Sequence, residues 1–156
     1  MCSTPAVTEI PRTTHTIEFP YTRTLGPVIG PFLTGLRDQR ILGARTGDGR
    51  VLVPPLEWDP ATGEALATDL VEVGPGGTVE TWAWVSAPSR KHPLDHPFAF
   101  ALITLDGAST ALVHAVDVAG EGAMRAGMRV VPRWRDEPQG RITDIEAFVP
   151  ETGGQG

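Results

Sequence analysis

The chain has 156 residues, 40% of them hydrophobic, which suits one packed domain or a small domain with an appendage. Its formal charge of -6 sets it against a phosphate backbone, and its 18 glycines and 15 prolines argue for many turns and against a helical bundle. A single cysteine, Cys2, excludes an internal disulfide and a thiolate metal site.

Residues 1–16 read as a loose arm. The stretch from Met1 to Pro20 is polar and has no apolar run of the kind a leader peptide carries. No stretch approaches the ~18 apolar residues of a membrane span, and a cytoplasmic location is expected. Ile17-Glu18-Phe19-Pro20-Tyr21 reads as extended. Gly30-Pro31 is then expected to open a short helix, because proline at the first helical position gives up only an orphan N–H. Phe32, Leu33 and Leu36 supply its apolar face. The turn Gly47-Asp48-Gly49 predicts a hairpin with arms at 40–45 and 50–54.

Residues 55–68 are loop-like, and from residue 69 onward the pattern is β. Residues 70–73 lead into the turn Gly74-Pro75-Gly76-Gly77. Strands are expected at 78–86, 98–105, 110–116, 128–134 and 141–149, with a short helical or turn segment at 120–127. Five strands with one small helical insertion suit a small Greek-key barrel. The tail 151–156 is expected to be disordered.

The order of these parts resembles the rubredoxin-like zinc ribbon plus OB-fold family, the acyl-CoA-associated OB-fold proteins. Phe32-Leu33-Thr34-Gly35-Leu36 is similar to the family's opening helix. The family's ribbon follows the pattern C-x-x-C-G-x-x-x-x-P-P…C-P-x-C-G. Here Gly49, Pro54-Pro55 and Asp59-Pro60-Ala61-Thr62-Gly63 match it, which puts Arg45, Asp48, Asp59 and Thr62 at the four ligand positions. Zinc in a ribbon needs four good donors, arginine cannot ligate and threonine is a poor ligand. A metal-free ribbon is therefore expected, with a salt bridge from Arg45 to Asp48 or Asp59 replacing part of the crosslink. Gly77-Thr78-Val79, the run Phe100 to Asp106, and Gly127-Met128-Arg129-Val130 resemble the family's barrel motifs.

The resemblance implies a mainly β fold: a five-stranded OB-fold barrel preceded by a short helix and a degenerate, metal-free ribbon hairpin. The expected division is an arm at 1–29, helix and ribbon at 30–68, the OB-fold domain at 69–149 and a tail at 150–156. It also implies assistance rather than chemistry. Such proteins are accessory subunits of thiolases, of lipid-transfer-type thiolases or aldolases, or of related acyl-CoA enzymes in fatty-acid, steroid side-chain or polyketide metabolism. No catalytic residue, cofactor, membrane or nucleic acid is expected. A hetero-oligomer with a thiolase-like enzyme is expected, with contact to acyl-CoA as an open question.

Four residues stand out as partner contacts. Trp82 and Trp84 lie two apart and share a strand face with Glu80, while Val79, Ala83 and Val85 face the other way. One face can fill the barrel, and the other needs cover from the ribbon, the arm or another protein. His92 and His96 are four apart, as in a helical metal site, but Pro93 and Pro97 argue against a helix there. The loop lies near the expected barrel opening.

Two further patterns compete with this reading. Ser109, His114 and Asp117 have the residue types of nucleophilic catalysis, but Ser109 and His114, five apart on a strand, point to opposite faces. An independent small acyl-CoA-thioester enzyme would have to use His92, His96 or His114. Arg129, Arg133 and Arg135 share a strand face, which an OB-fold nucleic-acid binder could use. The acidic total charge favours a solvated face instead.

Overall fold

The computed structural model describes residues 13–18 and 24–152. The expectations for Cys2, for Phe19 to Tyr21 and for the last four residues of the tail lie outside this range.

Helix α1 spans Gly26–Arg37, so it starts one turn earlier than Gly30-Pro31 implied. Pro27 occupies the first turn, where its missing N–H costs nothing, and Pro31 sits inside the helix. An interior proline can cost about 3 kcal/mol. Here the preceding residue is Gly30, which has no Cβ to press on the proline ring, and Phe32 and Leu36 are buried at 4% and 0% exposure.

The hairpin forms as expected, with β1 at Ile41–Arg45 and β2 at Val51–Leu52. Gly49, at φ +89, completes its turn, and the Gly49 amide donates to the Thr46 carbonyl at 3.0 Å. Strand β3, Val71–Val73, pairs antiparallel with β1, Ile41 lying opposite Val73. The ribbon sheet, in the order β2-β1-β3, therefore runs past the boundary expected at residue 68.

Five further strands close into a barrel in the order β4-β5-β6-β8-β7. They are β4 (Gly77–Val85), β5 (Phe98–Leu105), β6 (Ala111–Val116), β7 (Arg129–Trp134) and β8 (Ile145–Pro150). This is the mainly β, five-stranded OB-fold barrel expected from the sequence. Residues 142–144 form a 3₁₀ turn rather than the start of the last strand. The buried Asp144 carboxylate accepts the amides of Gln139, Gly140 and Arg141 at 2.9, 2.6 and 3.0 Å, which bends the chain there. Glu151, expected in the free tail, is held by Arg129, whose Nε donates to its carboxylate at 3.0 Å.

The expected facing of β4 is corrected by a bulge. Val79 lies opposite Ile103, but Thr81 lies opposite Leu102, so Glu80 is an extra residue. Trp82 and Trp84 consequently face the same way as Val79. They lie opposite Ala101 and Ala99, both buried, so two large indoles meet two small side chains. Both tryptophans are half-buried and pack on the main core.

One core runs through the helix, the ribbon and the barrel interior. It joins Phe32 and Leu36 of α1, Ile41 and Val51 of the ribbon, and the barrel interior around Ile103 and Phe148. The ribbon is also hydrogen-bonded to the barrel. Ser109 Oγ accepts the Val51 amide at 3.1 Å, and Thr110 Oγ1 accepts the Val53 amide at 2.7 Å and donates to its carbonyl at 3.0 Å.

Candidate functional site

The outer face of β5 is covered by the chain's own loop 86–97. Phe98 is fully buried there beside Leu94, Ala115 and Ala147. Phe98 and Phe100 meet edge to face at 4.9 Å, and the His92 ring packs edge-on against Phe98 at 5.9 Å. The His92 Nδ1 accepts the Ser89 amide at 2.7 Å, which fixes the ring. Burying a side chain like Phe98 is worth about 1.5–3 kcal/mol, against about 0–1 for an exposed ion pair. Apolar packing, more than charge, therefore holds this loop.

At its far end the same loop enters a line of charges. His96 Nδ1 lies 3.0 Å from Asp95 Oδ1, and Nε2 lies 3.0 Å from Asp117 Oδ1. Arg133 donates to Asp117 Oδ2 at 2.9 Å and to Glu146 Oε2 at 2.6 Å. The hydrogen bond to Asp117, and then that to Asp95, raise the His96 pKa above its usual 6.5. Burial would raise the Asp117 carboxyl, but the hydrogen bonds from His96 and Arg133 outweigh it and hold it low. With both ring nitrogens facing carboxylates, His96 favours the charged form and is poorly suited to act as a base.

An open groove runs beside this line, bordered by Trp84, Ser86, His96, Asp117, Gly120 and Pro150. Of the four residues singled out by sequence, Trp84 and His96 meet here. Trp82 belongs to the core, and His92 lies on the phenylalanine face. Asp117, which lines the groove, and Arg133, which is bonded to it, were not assigned to a common site by sequence reading. Their only signal was opposite charge on strands that a closed barrel brings together.

The residues of the competing readings are dispersed. Ser109 is tied to Val51, and Asp117 to His96 and Arg133. His114 is 9% exposed, its ring edge-on to Phe148 at 5.5 Å, and its Nδ1 has no hydrogen-bond partner among the described residues. Burial lowers its pKa, keeping it neutral. It lines a small, mostly apolar hollow of about 220 Å³ between β6 and residues 142–146. The three arginines are also engaged: Arg129 by Asp106 and Glu151, Arg133 as above, and Arg135 by the Thr143 carbonyl at 2.7 Å. A face whose cations are already paired is a poor nucleic-acid surface.

In the ribbon, the expected salt bridge forms with a different arginine. Arg45 ends β1 with an exposed side chain. Arg50, just after the turn, reaches the two aspartates instead. Its Nε lies 2.8 Å from Asp48 Oδ2, and its Nη2 lies 2.9 Å from Asp59 Oδ2. Among the described residues no helix is long and apolar enough to cross a membrane.

The fold and its groove define an OB-fold barrel with a ribbon sheet packed against it. Residues 70–135 match the family model for the C-terminal OB-fold domain of ChsH2. Two solved structures share the fold. One is described as an Ltp2-ChsH2(DUF35) aldolase, at 22% identity and a TM-score of 0.57, covering 76% of this chain and 91% of that one. The other is a DUF35-family protein of unknown function from Sulfolobus solfataricus, at 18% identity and a TM-score of 0.53, covering 65% of this chain and 74% of that one. No curated protein matches the chain.

Proposed function

We propose that this protein is a non-catalytic accessory subunit of a thiolase-like acyl-CoA enzyme, of the lipid-transfer thiolase or aldolase type, in fatty-acid, steroid side-chain or polyketide metabolism. The observation that carries the reading is the match of the barrel to the ChsH2 OB-fold domain. The similar fold in an Ltp2-ChsH2(DUF35) aldolase supports an aldolase-type partner. The dispersal of His92, His96, His114 and Ser109 supports a role without independent chemistry. The groove beside Trp84 and His96 is the surface we assign to the partner, since tryptophan is a frequent interface anchor.

The test is a pull-down of the tagged full-length chain from its host, with co-purifying chains identified by mass. Recovery of a thiolase-like or aldolase-type enzyme in near-equal amount is expected, and Trp84→Ala should reduce it. Recovery of the bait alone, together with acyl-CoA turnover by the purified chain that Ala at His92 or His96 abolishes, would replace this reading with that of an independent enzyme.

A further inference from the structure

A rubredoxin-like ribbon joins two turns through a metal. In this chain the corresponding turns are 46–49 and 59–63, and the donor set at the ligand positions does not fit zinc. Arg45 cannot ligate, and Thr62 is a poor donor. The two carboxylates are already committed to neighbouring groups. Asp59, buried at 4% exposure, faces Arg50 with both oxygens and accepts the Ala61 amide at 2.9 Å. Asp48 receives Arg50 Nε through both oxygens and is also bonded to the Thr46 hydroxyl.

We infer that the Arg50 guanidinium stands in for the metal as the crosslink of this ribbon. The chemistry is suited to the task. A guanidinium is planar, stays charged at any physiological pH and carries five donors, so one group can hold two carboxylates on different turns. Lysine offers a single point charge and cannot grip both in the same way. Each turn is also closed on itself. The Thr46 amide donates to the Arg50 carbonyl at 2.9 Å, and the Gly63 amide to the Asp59 carbonyl at 2.8 Å. Arg50 thus fastens two preformed turns. The Thr46 and Arg50 hydrogen bonds draw the Asp48 carboxyl down to about 2, so this arm of the clasp stays ionised across ordinary pH.

The test uses the full-length protein and two readings, bound zinc by elemental analysis and amide exchange resolved by segment. The purified chain is expected to carry far less than one zinc, and a chelator should leave exchange in residues 41–66 unchanged. Arg50→Met should speed exchange in that segment by about tenfold or more, as local opening becomes easier, while β5 stays protected. Arg50→Lys should fall between the two. If Arg50→Met unfolds the whole chain, the exposed Asp48→Asn decides: faster exchange confined to the ribbon supports the clasp, and unchanged exchange overturns it. Stoichiometric zinc whose removal loosens the ribbon would also overturn it.

Discussion

At the scale of single residues, two histidines in one small barrel are set in opposite directions. His96 is raised by the hydrogen bonds it makes to Asp117 and Asp95, and His114 is lowered by burial. Their contributions to stability have opposite signs. The His96 contribution is fully present below pH ~6.5, the unfolded value, and fades as pH rises through its higher folded value. For His114 the unfolded chain binds the proton more readily, so its environment costs stability as pH falls through about 6.5. In an NMR titration the His96 ring should therefore titrate above the ordinary value and the His114 ring below it. Coincident midpoints near that value would contradict both environments. His96→Gln should lower stability where the wild-type ring is charged and leave the alkaline side of the profile unchanged, since its partners remain and its charge does not.

At the scale of elements, Gly77 shows why a glycine opens the longest strand. It lies opposite Leu105 on one side and Val130 on the other, where β4 is clamped between β5 and β7. A Cβ there would stand 2.8 Å from Ile103 Cγ2 and 2.9 Å from the Thr104 carbonyl oxygen. Gly77→Ala should cost about 1–3 kcal/mol through overpacking, read as a lower denaturant midpoint at unchanged slope. A neutral effect would mean that β5 can give way. The five barrel strands were legible because apolar runs and Gly-rich turns mark them. The bulge at Glu80 was not, since an alternating pattern with apolar residues on both faces carries no sign of a one-residue slip. The facing of Trp82 and Trp84 was misread for that reason. The clasp was half legible: Asp48 and Asp59 were identified, but Arg45 and Arg50 both flank the turn, and only the side-chain directions tell them apart. The groove was less legible still, because Asp117 and Arg133 meet only once the barrel closes with β8 between β6 and β7.

At the scale of the whole molecule, the ribbon and barrel share one core and the Ser109 and Thr110 hydrogen bonds. They should unfold together. Far-ultraviolet circular dichroism and tryptophan fluorescence, the latter sampling Trp58 in the ribbon loop and three barrel indoles, should give coincident transitions. A separate early loss of the ribbon signal would show that the shared core does not couple them. The barrel itself is unevenly sewn. β4 and β5 match through eight residue pairs, whereas β6 and β8 meet through one, Val116 and Phe148, joined by the Asp117 amide donating to the Phe148 carbonyl at 2.8 Å. The β4–β7 seam is also short, at two pairs, so the wall is least tightly held along these two joins. Girth in a closed barrel follows strand number and stagger, so a change of register at the β6–β8 seam would disturb one residue pair, whereas the same change between β4 and β5 would disturb eight.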